Sequence, residues 1–465
     1  MKIKRVNISD IDGFKLGNAE NIDKGTGCTV IICEEPAIGG VDVRGGAPAT
    51  RETDLLRSEN TVEGINAVVL SGGSAFGLEA ASGVMNELSE RGVGFKVGDI
   101  TVPIVCAASL FDLAAGDSKA YPDKEMGRQA CRNAYEGFFD HGNRGAGTGA
   151  SVGKLLGMNR AMKSGLGTFA CADNYLQVGA VVAVNAVGDI YNGAGNIIAG
   201  LRTEEGSEVY GTVKSLKSIV HENAAEDNAS TSEVEHSDTD KKKFEEKIKT
   251  KSEIAAAIRN AFTSKNKYMS QAESKTADEK PASDAMDDSE FSYDNPESSI
   301  ENLYTENIVD FYSSDNLSDP IPSAAMETET ETETETKTHI ESESSYVPES
   351  YDAEIKADES EPDPDMGYDI PFNTTIACLI TNAKLSKSQC NKLASILHDA
   401  YARAIKPVHS SMDGDTIFVL TSAKQEVNFD AFAALATDVM QYAIIDGAVS
   451  ARSAYGLPAS CDIIR

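Results

Sequence analysis

The junction Asn373-Thr374 constrains this chain more than any other feature. A long acidic, low-complexity stretch stops there, and an apolar run begins, Thr374-Thr375-Ile376-Ala377-Cys378-Leu379-Ile380-Thr381. The first side buries too little apolar surface to offset its chain entropy, while the second has the pattern of a core strand. A hydroxyl residue heads that strand. If the bond before it is cut, Thr374 offers both a hydroxyl and a base, its own α-amine, whose ordinary pKa of about 7.7–8.0 needs no large shift. The junction reads as a self-cleavage site: the hydroxyl attacks the Asn373 carbonyl, the acyl group moves from nitrogen to oxygen, and water clears the ester. A plain strand threonine is the competing reading, and Thr375 is a rival for the nucleophile.

Charge locates the other end of the acidic stretch. Residues 201–370 carry 43 Asp and Glu against 16 Lys and Arg. The 465-residue chain has 74 and 42, so the remainder holds 31 and 26, a net of −5. The extreme acidity therefore belongs to one segment. We expect 205–370 to be a disordered acidic linker, with a Glu-Thr repeat over 327–336. One possible helix lies over Lys241 to Phe262, either solvated or a docking element. The two remaining parts, 1–204 and 371–465, make roughly 300 residues, enough for a large core. Their charge gives no footprint for nucleic acid or an anionic membrane, and no apolar stretch reads as a bilayer span. Eight scattered cysteines without a C-x-x-C pair read as reduced core residues of a cytoplasmic protein.

Residues 29–33 and 67–70 read as buried strands, and Ser74 to Arg91 as one helix stopped by Gly92. Gln177 to Val187 reads as a strand running into a turn. After the junction, the strand over 374–381 leads to Ser386, which with Gln389 forms a capping-box pattern for a helix to about Ile405. Asp413-Gly414-Asp415 is a turn into a strand over 416–421. A last helix starts near Asn428 and ends before Gly447. Strands and helices in this order need layers from both parts of the chain, in a mixed α/β fold.

Asp413 and Asp415 flank a glycine. They are either a solvated turn or a carboxylate pair that orients the hydroxyl and amine of the nucleophile. Asn185 interrupts the apolar run Val181 to Val187, where an amide needs partners. It is either a structural hydrogen-bonding group or an oxyanion donor. Gly145 to Lys154 superficially resembles a phosphate loop, but Leu155 stands where a hydroxyl would face Mg²⁺. The glycines read instead as backbone that approaches a substrate or a strand, with Lys154 bringing positive charge to a site. No H-E-x-x-H or Cys/His ligand spacing occurs, and neither metal nor cofactor is expected. His409 near Asp413 leaves a hydroxyl–His–Asp triad open.

Four segments together resemble the P1 peptidase family: Arg44-Gly45-Gly46-Ala47-Pro48-Ala49-Thr50-Arg51-Glu52-Thr53-Asp54, Leu70-Ser71-Gly72-Gly73-Ser74-Ala75-Phe76-Gly77-Leu78, Gly145 to Lys154, and Asn373-Thr374-Thr375-Ile376. This is the self-processing group of D-aminopeptidase/L-aminopeptidase-esterases, β-peptidyl aminopeptidases and the nylon-oligomer hydrolase. The likeness covers about residues 10–200 and 371–465. It implies a four-layer αββα sandwich of N-terminal-nucleophile type, self-cleavage into two chains, and a homotetramer of processed heterodimers. It implies Thr374 as nucleophile, Asp413 and Asp415 as paired carboxylates, Lys154 as catalytic lysine and Asn185 as oxyanion asparagine. Phe111 falls where the nylon-oligomer hydrolase has a functional tyrosine, in the possible substrate pocket, so one hydroxyl contact is missing. The β-peptidyl branch has a serine where Asp413 stands, which draws this site toward the nylon-hydrolase side. The linker is far longer than the family's. The implied function is an amidohydrolase or aminopeptidase acting on small peptides or other amides through a Thr374 acyl-enzyme. The alternatives are a non-catalytic member whose acidic tail recruits partners, and an acyltransferase using the same acyl-enzyme.

Overall fold

A computed structural model describes residues 3–218 and 373–464. The helix expected over 241–262 and the 327–336 repeat lie outside the described residues. The main elements are β1 (Phe14–Asn21), β2 (Thr26–Val43), β3 (Gly64–Ser71), α1 (Glu79–Glu90), β4 (Val105–Ser109), α2 (Lys124–Glu136), β5 (Leu166–Ala172) and β6 (Gln177–Ala183) in the first part. The second part supplies β7 (Ile376–Ala383), α3 (Lys387–Ala404), β8 (Thr416–Gln425) and α4 (Phe429–Val449).

Side-chain alternation builds the layers. Successive strand residues face opposite ways, and β2, β3 and β4 are apolar on both faces. Val30, Ile32, Ala67, Val69, Val105 and Ala107 pack with Val84 and Leu88 of α1 and Ala130 and Ala134 of α2. Their neighbours Ile31, Val68, Leu70 and Cys106 point the other way, into a core shared with Val181, Ile376, Cys378, Ile380, Phe418 and Leu420. Helices α3 and α4 cover the far side, α4 over β5 and β6, α3 over β8 and β2. The result is a four-layer αββα sandwich.

The strands run in the order β5-β6-β7-β8-β2-β3-β4, with β1 paired to β2. Within the 18 residues of β2, 28–32 and 37–38 pair with β3, and 38–43 with β8. Between them the exposed Glu34-Glu35-Pro36 segment interrupts the ladder, which is where a proline without an N–H can sit. Strands β7 and β8 are parallel neighbours, flanked by β6 and β2. The second part of the chain is thus inserted between strands of the first.

Several boundaries differ from expectation. Ser74 to Arg91 is not one helix: a turn of helix, Ser74–Gly77, breaks at Leu78 before α1. The box of Ser386 and Gln389 is formed as expected. Helix α4 runs through Gly447 to Val449. There the glycine is a packing device rather than a stop, since a Cβ on it would stand 2.7 Å from Val184 Cγ2 and 3.0 Å from the Gly165 carbonyl oxygen. The same helix corrects the expectation about bilayer-length segments. It is 21 residues long with a mean hydropathy of 1.2, yet 72% of that window is buried inside the body. The ordered body also passes the boundary expected at 204. Residues 212–218 are helical, and the Thr212 hydroxyl donates to buried Asp189 at 2.7 Å. All eight cysteines are free thiols, and only Cys461 is exposed.

Candidate active site

Strand β7 begins at Ile376, so Thr374 and Thr375 lie at its mouth rather than in the ladder. Register fixes their neighbours. The parallel pairing of β7 with β8 sets Ile376 against Thr416; continued backwards, it sets Thr375 against Asp415, Thr374 against Gly414 and Asn373 against Asp413. Hydrogen bonds follow this register: Thr375 N–H donates to Asp415 Oδ1 at 2.7 Å, and Gly414 N–H donates to Thr374 Oγ1 at 3.0 Å. On the other side, β6 sets Ala183 against Ile376, which brings Asn185 opposite Thr374. Thr374 N–H donates to the Asn185 carbonyl at 3.0 Å. Thr374 is buried, and its hydroxyl lies against the carbonyl of Asn373, the group it would attack.

The Arg44 to Pro48 segment closes over the Asp413-Gly414-Asp415 turn. Ala47 N–H donates to the Asp413 carbonyl at 2.8 Å. Gly45 has φ +110°, and a Cβ there would crowd that same carbonyl, so glycine is required by both conformation and space.

Lys154 is buried, and its Nζ donates to Asn185 Oδ1 at 2.8 Å and to the Asn185 carbonyl at 3.0 Å. Burial pulls its ammonium down to about 7, opposed by the charges of Asp413 and Asp112. Asn185 Oδ1 also accepts Ser151 N–H at 3.0 Å, and its Nδ2 donates to the Phe111 carbonyl at 2.8 Å. Asp413 Oδ2 accepts Ser410 N–H at 2.7 Å, while its buried Oδ1 has no hydrogen-bond partner among the described residues. Burial, then the neighbouring Asp415 charge, pushes Asp413 up to about 6; Ser410 and Lys154 hold it back.

The structure therefore brings Thr374, Asp413, Asp415, Lys154 and Asn185 to one end of the strands. Phe111 joins them through its carbonyl. Thr375 presents its main chain to Asp415, and its own buried hydroxyl has no partner among the described residues. His409, expected near Asp413, is bonded to Asp415 instead, with Nδ1 2.8 Å from Oδ2. The letters Gly149-Ala150-Ser151-Val152-Gly153 spell a nucleophile-elbow pattern, but Ser151 opens a short strand and its buried hydroxyl faces the Met158 sulfur.

Two buried charges at this end were missed. Asp112 accepts Gly73 N–H at 2.7 Å and the Thr26 hydroxyl at 2.9 Å, and burial pushes it up to about 6. Lys163 donates to the carbonyls of Gly147 and Ala150, both at 3.1 Å, and of Ser164; burial pulls it down to about 7. The glycine run supplies two of these acceptors, so its backbone approaches a lysine as well as a strand. A charge standing among apolar or small residues, as in Met162-Lys163 and Phe111-Asp112-Leu113, is the signal that singled out Asn185 and was available here too.

The body is thus an αββα sandwich whose central strand opens on a threonine, with carboxylates at the mouth of the adjoining strand. A family model for peptidase family S58 matches residues 7–232 and 321–460, and the chain belongs to that family. Among its relatives is an uncharacterized aminopeptidase of Mycobacterium leprae, 40% identical over 203 residues, or 40% of this chain and 54% of the relative. A 6-aminohexanoate-oligomer endohydrolase of Kocuria sp. is 35% identical over 191 residues, or 41% of this chain and 51% of the relative. The chain spans about half the length of the curated relatives it matches. Among solved structures, a Burkholderia sp. β-aminopeptidase superposes with a TM-score of 0.51 at 13% identity, covering 100% of this chain and 94% of that one. At that identity the likeness speaks for the fold alone.

Proposed function

We propose that this chain is a self-processing amidohydrolase or aminopeptidase with Thr374 as its nucleophile. The observation that carries the reading is the β6-β7-β8 register, which sets Asn185, Gly414 and Asp415 around residues 374 and 375. In the uncut chain the α-amine is still an amide, so Asp413, with its open Oδ1, takes the hydroxyl proton. Thr374 Oγ1 attacks the Asn373 carbonyl carbon. The tetrahedral centre collapses by breaking the bond to the Thr374 nitrogen, which takes up the proton. Water then cleaves the ester on Oγ1, leaving an Asn373 carboxylate and a Thr374 with free hydroxyl and amine.

The new amine is held at the Asn185 carbonyl that already binds its N–H, and it serves as base in the next rounds. A substrate amide acylates Oγ1, its amine leaves with the proton, and water releases the acid. Two N–H groups of Lys154 are tied to Asn185, which aims the ammonium; together they stabilise the oxyanion. The printed names of the relatives, aminopeptidase and 6-aminohexanoate-oligomer endohydrolase, support a small peptide-like amide as substrate. The free thiols support a cytoplasmic location, and the P1 resemblance supports a homotetramer of processed heterodimers.

Intact-mass analysis of purified protein should give two fragments, the smaller of 92 residues beginning at Thr374. Thr374→Ala should stay whole and turn over no amide. A single full-length chain that hydrolyses amides sinks the mechanism, and a Thr374→Ala chain that still cuts itself moves the nucleophile to Thr375.

A further inference from the structure

His409 has no part in the steps above, yet it is bound to them twice. Its main-chain N–H and its ring Nδ1 both reach Asp415 Oδ2, at 3.2 and 2.8 Å. The other oxygen of the same carboxylate holds Thr375 N–H. Asp415 thus bridges His409 to the residue that follows the nucleophile. The backbone of His409 is left-handed, φ +55°, a conformation uncommon outside glycine that Asn, Asp and His enter more readily than other residues. That turn is what lets one residue give two hydrogen bonds to one oxygen.

Helix α3 clamps the ring from behind. His398 meets it edge-on with centroids 4.7 Å apart, and Tyr401 stacks at 6.1 Å. The Tyr401 hydroxyl donates to the Thr375 carbonyl at 3.3 Å, so the group that holds the ring also holds residue 375. His398 Nε2 faces the Asp42 carbonyl at 3.2 Å, and burial pulls that ring down to about 4, so near neutral pH it carries no charge. The titratable groups facing His409 are Asp415 of its own loop and His398 and Tyr401 of α3; beyond them, Asp42 and Arg44 act on His398, and Asp413 lies beside Asp415 with Lys154 acting on it.

We propose that His409 is a positioning residue: it locks Asp415, and through it residue 375 and the Gly414 N–H that holds the Thr374 hydroxyl. A carboxylate whose Oδ2 is held only by the main-chain N–H at 3.2 Å has more freedom to turn than one held there by the ring at 2.8 Å as well. The inference rests on the Thr374 reading of the site.

The test uses the full chain made in a cell-free reaction. Translation is stopped, and conversion to two fragments is followed from pH 5 to 8. His409→Gly keeps the left-handed backbone and its N–H but removes the ring. His409→Asn keeps the backbone and places an amide N–H near the Nδ1 position. The glycine variant should cut about tenfold more slowly or worse, the scale of one lost charge-assisted hydrogen bond. Its acid limb, set by Asp413, should move to higher pH, because the Asp415 charge beside Asp413 has lost a donor. The asparagine variant should restore both. Melting curves separate this from simple destabilisation, which lowers the transition without moving the limb. A glycine variant that cuts at the parent rate with the parent profile overturns the proposal. So does a folded asparagine variant no better than the glycine one. In either case a parent that cuts normally leaves the Thr374 reading standing; a parent that never cuts and turns over no amide removes both.

Discussion

Gly414 offers the most direct probe of where the Thr374 hydroxyl is held. A Cβ added there would stand 2.7 Å from the Ala47 carbonyl oxygen, 2.8 Å from Thr374 Oγ1 and 3.0 Å from Pro48 Cα. The backbone of Gly414 is not left-handed, so Gly414→Ala adds crowding without torsional strain. Ala47 is anchored by its N–H to Asp413, which leaves the threonine hydroxyl as the group that gives way. To reach ordinary contact, Oγ1 must retreat by roughly 0.6 Å, and it loses its best geometry to Gly414 N–H. Overpacking of this kind costs about 1–3 kcal/mol of stability. A reacting atom misplaced by about 1 Å costs about a hundredfold in rate, so self-cleavage should slow by about 10- to 100-fold. A gel and mass time course of fragment formation, paired with a melting curve, measures both. A variant that is folded and cuts at the parent rate refutes the placement of the hydroxyl against Gly414.

Two further outcomes follow from buried and capping groups. Ser386→Ala removes the reciprocal cap of α3 and should lower stability by about 1 kcal/mol, read from the urea midpoint, with fragment formation unchanged. Lys163 has a folded pKa of about 7 against an ordinary 10.5, so between these values the unfolded chain holds a proton that the folded one has released. Stability therefore rises with pH across that window, and Lys163→Met should flatten part of the rise in denaturant titrations at successive pH values; an unchanged slope counts against a buried ammonium there.

The parts of the fold that were legible in the sequence are those set locally. The Ser386 cap needs only the four residues from Ser386 to Gln389. Asn185 was legible because an amide among valines must find partners. Its place opposite Thr374 was not, because that follows from pairing between strands whose residues are some two hundred positions apart. Gly447 misled because a helical glycine has the same letter whether it ends a helix or lets it press on a strand. The periodicity of Ser74 to Arg91 runs straight through the break at Leu78, because apolar spacing alone does not mark where one helical turn ends and the next helix begins. Lys163 escaped notice because its partners are main-chain carbonyls, which carry no letter at all. His409 was read as a neighbour of Asp413 by sequence distance, and its left-handed backbone turned it toward Asp415.

The insertion of β7 and β8 between β6 and β2 sets an order of events in the making of the protein. As the chain leaves the ribosome, its first 218 residues hold both outer sections of the sheet but not the pair that joins them. Two rows of unpaired N–H and C=O groups, along β6 and the later half of β2, must wait until β7 and β8 are made, and such edges invite pairing with other chains. Contacts such as Val41 N–H to the Asn391 side chain, 350 residues apart, make this closure slow. The register that places Gly414 beside Thr374 does not exist until β8 docks. In a chain built this way the surroundings of residue 374 are assembled only when the strand that follows it docks beside it.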